Sequence, residues 1–593
     1  MKKLIITVAL FLFSGVILAQ KRVPLSGGGL YLYGGKLVVS DDAYVVIDGN
    51  SLGILKLATN AQDASIYLDG TISVDGNFTN NTSSQPFSSI TTGSNVIFAG
   101  ASGTQVIGGT TSTTFNFDKL TINSGSTVQV TAAKHLTLTG ALTNNGTFSL
   151  LDAGSGPATL VDNGSISGSG TYNMQQYLTG SGTTTPTGRR WYISSPVASA
   201  TSLVLAAAGN NRLNRYIESN FNYTEITDNT TSLNVMEGYV HRGVANATFT
   251  FTGGAFNTGS QTASSLSYTG TTNSDRGYHL LGNPYPSFYN WEDATLTNVS
   301  TTITYRTVNL SSTMVYDTYN GTSQVGTNNN GSGAVTKYIA PLQAFWVSVS
   351  SAGTGEVDFS NTGRSHQSAT LRGEKENNTL RLNLTDGINT DQFVVNVNSN
   401  ASNGVDIYDS RKMFTEEIAQ VYSPLSDAKL VINSLNEITE DTRIPLSVIM
   451  NKSGNYGLEA VDLTGSLLSY SVYLEDKAAK TIHDLSSNPT YTFDAVIGET
   501  NNRFILTFKK RSAGIEVNKT TSIELYNFNN QINVVLPNDG IAFVRVSDMS
   551  GRIVAEKQLT NQKSQIELNV ISGVYNVEVV SGSDRIVKKI VIE

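Results

Sequence analysis

The sequence predicts an all-β protein: a parallel β-helix-like solenoid at the N-terminal end, followed by β-sandwich domains. Three observations carry this reading. Only 15% of the 593 residues are charged while 39% are hydrophobic, so the chain is rich in uncharged Gly, Thr, Ser and Asn yet can still bury a core. Apolar residues recur in short runs with a period of two, the spacing of a half-buried strand. Gly- and Asn-containing turn signals follow those runs, as brief strands require.

The first such region is 20–178. Lys36-Leu-Val-Val, Tyr44-Val-Val-Ile, Ser65-Ile-Tyr-Leu, Asn95-Val-Ile-Phe, Lys119-Leu-Thr-Ile and His135-Leu-Thr-Leu-Thr are its typical runs. Asp48-Gly49, Asp69-Gly70, Asp75-Gly76, Asn145-Gly146 and Asn163-Gly164 supply the turns. Leu138-Thr-Gly-Ala-Leu-Thr-Asn-Asn-Gly echoes Leu68-Asp-Gly-Thr-Ile-Ser-Val-Asp-Gly, each a strand, a Gly corner and a second strand. That is the content of a solenoid rung, repeated with a drifting period. The texture is similar to the solenoid-like portions of large bacterial adhesins.

The region 179–370 is richer in aromatics and opens on Arg189-Arg190-Trp191-Tyr192-Ile193; no Arg occurs between Arg22 and Arg189. Its landmarks are Gly282-Asn-Pro-Tyr-Pro-Ser-Phe-Tyr-Asn-Trp291 and Tyr338-Ile-Ala-Pro-Leu-Gln-Ala-Phe-Trp-Val347. Both resemble phrases common in surface proteins of Bacteroidota-type bacteria, a group with no agreed activity to transfer. Trp191, Tyr285, Tyr289, Trp291, Tyr319, Phe345 and Trp346 are expected as core or cross-strand pairs. Coplanar and exposed, they would instead make a sugar-stacking platform. The region 371–511 reads as one antiparallel sandwich, with a short helix expected over 409–420 and a linker beginning at Lys509.

The last region, 514–593, carries Val544-Arg-Val-Ser-Asp548-Met-Ser550-Gly551-Arg552-Ile-Val554, Gly573-Val-Tyr575-Asn-Val577-Glu-Val579 and Lys588-Lys589-Ile590-Val-Ile592. On these phrases it resembles the type IX secretion system C-terminal sorting domain, type A. Asp548, Ser550, Gly551, Arg552, Gly573, Tyr575, Val577, Lys588, Lys589 and Ile590 match its pattern. One departure is Asn-Phe-Asn-Asn after Tyr526, where the family has a Pro-Asn-Pro-like turn. The resemblance implies an Ig-like sandwich read by the type IX secretion machinery at the outer membrane. It also implies removal by the system's sortase, then attachment to a surface polysaccharide anchor or release.

The opposite end, 1–19, reads as a signal peptide. Lys2 and Lys3 precede a short apolar run, with cleavage expected between Ala19 and Gln20. No later stretch is long enough to span a bilayer as a helix. A net charge of −8 gives no basic stripe for nucleic acid, and the absence of Cys excludes disulfides and thiolate metal sites.

Chemistry is sparse. Gly49-Asn-Ser-Leu-Gly53 fits the Gly-x-Ser-x-Gly pattern but lacks the following helix that a nucleophile elbow requires. His135, His241, His279, His366 and His483 are scattered, with no His-x-x-x-His pair. The expectation is therefore a secreted, non-catalytic cell-surface protein, an adhesin or a structural surface component, with no cofactor or metal. It would present a long polar face to a glycan or other surface ligand. The alternative is a secreted carbohydrate-binding or polysaccharide-degrading protein.

Overall fold

The computed structural model describes residues 71–511 except 75, 81–86, 91, 102, 111–113, 184–187, 207–211, 270–275 and 368–377. It describes 523–592 except 529–530, 537–540, 549–551, 569, 571 and 582–583, and before residue 71 only strand segments. The expected signal peptide, its cleavage site Ala19–Gln20, Asp69, Asp75 and Gly49-Asn-Ser-Leu-Gly53 lie outside the described residues, and Asp48 closes the strand Tyr44–Asp48. Among the described residues the chain is all-β, its α-helix being the single turn Leu203–Ala206. The chain divides into two compact units, 1–510 and 511–593.

The first unit begins as a parallel solenoid. Every third strand stacks on the one before it, giving one seven-stranded face, a second face that ends on Thr171–Leu178, and a third face in two three-stranded pieces. Alternation puts every second residue inside, as in Thr71–Val74 and Asn95–Phe98. Parallel register then stacks like on like: Ile72, Val96, Leu120 and Leu142 form one ladder, and Phe78, Ile107, Val130, Leu150 and Met174 another. Each buried side chain contributes roughly 1.5–3 kcal/mol relative to exposure.

The corners explain the glycines. A Cβ on Gly164 would lie 2.2 Å from the Gly140 carbonyl of the rung beneath. Backbone there touches backbone, so only Gly fits. The drifting period is also accounted for. Val23 pairs with Val45 and Tyr44 with Thr71, because corners of different length join strands that remain in register.

The solenoid ends on an antiparallel strand, Ala247–Gly253, which pairs with Thr171–Leu178. The chain then builds a four-stranded sheet from Arg189–Ile193, Tyr239–Gly243, Arg212–Ile217 and Asn222–Ile226. Beside it lies a five-stranded sheet containing Tyr278–Gly282, Ala344–Ser348, Thr302–Val308 and Met314–Asn320. The Gly-Asn-Pro-Tyr-Pro-Ser phrase joins this region to the solenoid. The Asn283 Nδ2 amide donates to the carbonyls of Ser287, Ile339 and Ala340 at 2.9, 3.1 and 3.0 Å. Its Oδ1 accepts from the Tyr285 amide. So held, the turn offers the Pro286 carbonyl to the Leu160 amide of the last rung at 2.7 Å.

The buried guanidinium of Arg364 completes the joint. It donates to the carbonyls of Leu160 and Asp162 and to Thr258 Oγ1, and lies 5.1 Å over the Tyr285 ring. Six of the seven aromatics expected in the core are buried there; Trp191 is half-buried and donates to the Thr179 carbonyl. No exposed aromatic platform is formed by them.

The region after 378 differs from expectation in four ways. Its strands form one eleven-stranded sheet rather than two separate ones, because Gln420–Leu425 pairs first with Arg443–Met450 and then with Ala428–Leu435. A strand that changes partners mid-length turns the corner of a sandwich. The pairing is not wholly antiparallel either: Thr390–Val397 runs parallel to Ala428–Leu435, across a connection long enough to return the chain.

The expected helix over 409–420 does not form. Asp409 Oδ1 accepts the Ser434 amide, Ser410–Arg411 pairs with the strand Ala428–Leu435, and Lys412 reaches the buried Asp391 at 2.8 Å. These side-chain anchors hold the segment extended. Finally, the strand Gly498–Lys510 continues through Lys509, since Ser471 and Tyr470 still offer it partners.

The second unit is a sandwich of a three-stranded and a four-stranded antiparallel sheet. Its core is Leu525, Ile532, Val534, Val544, Val546, Ile566, Tyr575, Val577, Val579 and Ile590. Replacing Asn283 with Ala leaves buried carbonyls without donors and should lower the stability of the first unit by about 3 kcal/mol. Urea unfolding of the purified chain measures this. A loss under about 0.5 kcal/mol would deny the turn its role.

Candidate functional site

A cavity of about 110 Å³ lies in the first unit between the four-stranded sheet and the strands Thr302–Val308 and Met314–Asn320. Period-two alternation places its lining. Arg190 and Tyr192 share one face of their strand, and Val240 and Arg242 share one face of theirs. Register then sets Arg190 opposite Arg242, and Arg242 opposite Arg212 on the next strand. Three arginines thus stand in a row across adjacent strands, an arrangement of like charges that opposes sheet formation. The other wall supplies Arg306 and Tyr316, while Tyr223 comes from the edge strand of the four-stranded sheet.

Arg212 pairs with Glu225 at 2.5 Å and Arg306 with Glu417 at 2.7 Å. Arg306 also donates to the Tyr316 hydroxyl at 3.2 Å, which is 2.9 Å from the Tyr192 hydroxyl. Burial raises the pKa of Tyr192, Tyr223 and Tyr316, so these phenols remain protonated. Burial, together with Arg190, Arg212 and Arg306, pushes the Arg242 guanidinium below its ordinary value. Beneath them Trp346 meets Tyr192, Tyr216, Tyr223 and Tyr278 edge-on, a rigid floor. The described lining offers cationic and hydroxyl donors but no carboxylate or imidazole, which suits binding an anion rather than moving a proton.

The sequence reading missed this site. In the sequence Arg189-Arg190 marks only a change of texture, and the row depends on a register that one sequence does not reveal. It also missed a histidine pair. His135 and His366 are 231 residues apart, yet their rings lie 5.1 Å apart, with Thr159 Oγ1 2.7 Å from the Nδ1 of each and Thr137 Oγ1 2.9 Å from His366 Nε2. His241 is buried against Phe249, His279 bonds the Ser267 carbonyl, and His483 bonds the Asn488 carbonyl. Among the described residues no three His, Asp or Glu converge as a metal-ligand set.

The perturbed carboxylates are committed to loops. Burial opposes ionisation of Glu218, but donors from Ser267, Thr269 and Gly277 outweigh it and hold its pKa down at about 2. Burial pushes Asp317 up, although Thr307, Thr327, Asn329 and Asn330 all donate to it.

In the second unit the matched sorting residues gather around two features. Asp548 accepts both the backbone amide and the Nε of Arg552 across the turn, whose Ser550 and Gly551 lie outside the described residues. The last two strands pair Val577 with Lys588, Asn576 with Lys589, Tyr575 with Ile590 and Gly573 with Ile592. Tyr575, Val577 and Ile590 point into the core, while Lys588 and Lys589 are exposed; Lys588 also caps the Leu525 carbonyl at 2.9 Å.

Comparison with known families agrees with this division. A family model described as "Domain of unknown function (DUF8693)" matches residues 69–508. The chain belongs to that family. The DUF8693 match runs without a break from the solenoid to the end of the eleven-stranded sheet. A second model, the "Secretion system C-terminal sorting domain", matches 527–593. The chain is a type IX secretion substrate, and its tail marks it for the cell surface or the extracellular space. No curated protein matches the chain.

Among solved structures, a β-glucuronidase of Ruminococcus gnavus is similar at 11% identity over 24% of this chain and 36% of its own, with a TM-score of 0.12. An apo structure of β-glucuronidase from Ruminococcus gnavus gives 9% identity over 68% and 45%, with a TM-score of 0.10. The BSP domain of a biofilm associated protein gives 8% identity over 71% and 92%, with a TM-score of 0.11. The chain spans barely a third of the first of these, and TM-scores this low carry no argument.

The histidine pair predicts a pH dependence. Burial, then the nearby positive charge of His135 and Arg364, lowers the pKa of His366 to about 3, below the ordinary 6.5. The unfolded chain therefore binds a proton that the folded chain refuses. Stability is full above pH 6.5 and falls as the pH drops toward 3, by about 3 kcal/mol at pH 4. Unfolding free energies from pH 7 to 4 should show this slope, and His366→Gln should reduce it, leaving the share of His241, whose burial lowers its pKa to about 4; equal slopes would contradict the assignment.

Proposed function

We propose that the exported chain is a non-catalytic cell-surface protein, an adhesin or a structural surface component. An N-terminal signal would be removed on export, and the sorting module would be cut away by the sortase as the chain is anchored to surface polysaccharide or released. The observation that carries this reading is the deployment of the polar chemistry. The most strongly perturbed carboxylates, Glu218 and Asp317, close loops, and the cavity presents donors with no acid–base pair. The solenoid also repeats outward-facing polar positions from rung to rung, such as Thr71, Asn95 and Thr143, suited to summing many weak contacts on a cell.

A second reading, carbohydrate binding, is favoured by the arginine–tyrosine cavity alone. The aromatics that would stack on sugars are mostly in the core.

Two measurements test the proposal. Purified chain incubated with a panel of acidic and neutral polysaccharides should release no new reducing ends; steady release from any one would overturn the non-catalytic reading. Deletion of residues 515–593 should leave the protein in the periplasm, and normal surface display of the truncated chain would refute the delivery scheme.

A further inference from the structure

We propose that the cavity between Arg190, Arg242 and Arg306 is a binding site for an oxyanion, a carboxylate, sulfate or phosphate group carried by a small ligand or by the end of an acidic glycan. The inference goes beyond the surface-protein reading and does not need it. A chain could be displayed and inert without this site, or bind an anion wherever it is displayed.

The first argument is the cost of the arrangement. Arg190, Arg242 and Arg212 are directly opposed on three neighbouring strands, and Arg306 approaches from the facing sheet. Strands lie about 4.8 Å apart, so Arg190 and Arg242, which both line the cavity, stand close together. Glu225 pairs with Arg212 and Glu417 with Arg306. Among the described residues Arg190 has no carboxylate within ion-pair distance. A bound oxyanion supplies Arg190 with a counter-charge, and guanidinium forks match its geometry.

The second argument is unfilled hydrogen bonding in the walls. Arg306 is more than nine-tenths buried, and its Nε has no hydrogen-bond partner. Asn214, equally buried in the same lining, has an Oδ1 with none. A buried polar group without a partner calls for an explanation, and a bound ion or ligand is one that fits both of these. One is a donor wanting an acceptor and the other an acceptor wanting a donor. Together they describe a ligand with an oxyanion and a nearby hydroxyl, as on a sugar acid.

The third argument is size. A cavity of about 110 Å³ holds about four waters at their liquid volume. That accommodates an oxyanion and the carbon bearing it, but not a whole oligosaccharide, and the remainder would lie outside past the exposed Arg190. The Tyr192 and Tyr316 hydroxyls, joined at 2.9 Å and tied to Arg306, fix one wall so that little need move on binding.

Isothermal titration of the purified full chain at low salt tests this, with galacturonate, inorganic sulfate, inorganic phosphate and neutral galactose as probes. The expected result is saturable binding of the anions, lost at high salt, and none of galactose. Galacturonate binding tighter than sulfate or phosphate would identify a sugar-borne group, and equal binding a free inorganic one; either supports an oxyanion site. Arg190→Gln, at an exposed position where the fold should be retained, should weaken binding about tenfold or more, the worth of one charge-assisted hydrogen bond. Asn214→Asp, which adds a negative charge to the lining, should abolish it, with thermal unfolding run alongside to confirm folding. No anion binding by the wild-type chain, or binding unchanged in a folded Arg190→Gln variant, would overturn the proposal. None of these outcomes bears on export or display, so failure here leaves the surface-protein reading to its own test.

Discussion

A stack of parallel strands cannot simply stop. Its last rung presents a row of unpaired amides and carbonyls and an open apolar interior, and both must be covered. Much of the first unit can be understood as the answer to that constraint. On one face Ala247–Gly253 runs antiparallel along Thr171–Leu178, so the final edge is paired by a strand that belongs to the next region. On another, the Leu160 amide finds the Pro286 carbonyl, and the Leu160 and Asp162 carbonyls receive Arg364. The apolar interior is continued as well, since Phe249, Phe251 and Phe256 join the cluster that begins with Leu68 and Ile72. The family match over 69–508 spans both the solenoid and the strands whose aromatics share its core.

The same strands that close the solenoid also build the cavity. In Tyr239–Gly243, Tyr239 is buried with the solenoid core and His241 packs on Phe249, while Val240 and Arg242 turn the other way, into the cavity. Alternation lets one strand do both. Burial of Tyr239 and His241 thereby fixes where Arg242 stands, and the row of arginines rests on a strand that cannot slip register without exposing its apolar face. The rigidity of the cap and the geometry of the candidate site have a common source.

Several parts of this architecture were legible in the residues. Period-two runs followed by Gly or Asn corners marked the solenoid, and the corners are Gly where one rung touches the next, as at Gly164 over Gly140. The tail was legible because its phrases are long and specific, and its Tyr575, Val577 and Ile590 are core while the lysines are outside. Gly282-Asn-Pro-Tyr-Pro-Ser could be singled out but not explained; its meaning lies in carbonyls of Ile339 and Ala340, more than fifty residues away. The helix expected over 409–420 failed for a similar reason. Local propensity was overridden by Asp391 and Ser434, which only the folded sheet brings near. The arginine row and the His135–His366 pair were invisible because both depend on register and long-range closure rather than on spacing.

The central claim, that the region after the solenoid acts as its cap, is tested most directly by hydrogen exchange across residues 159–178. The comparison is between the purified full chain and a fragment ending at residue 178. With the cap in place, the amides of Thr159–Asp162 and Thr171–Leu178 should exchange as slowly as those of interior rungs such as Lys119–Ile122. In the fragment those last strands should lose protection first, with the loss spreading inward rung by rung. Equal protection of the terminal strands in both would mean that the solenoid closes itself, and would contradict the account.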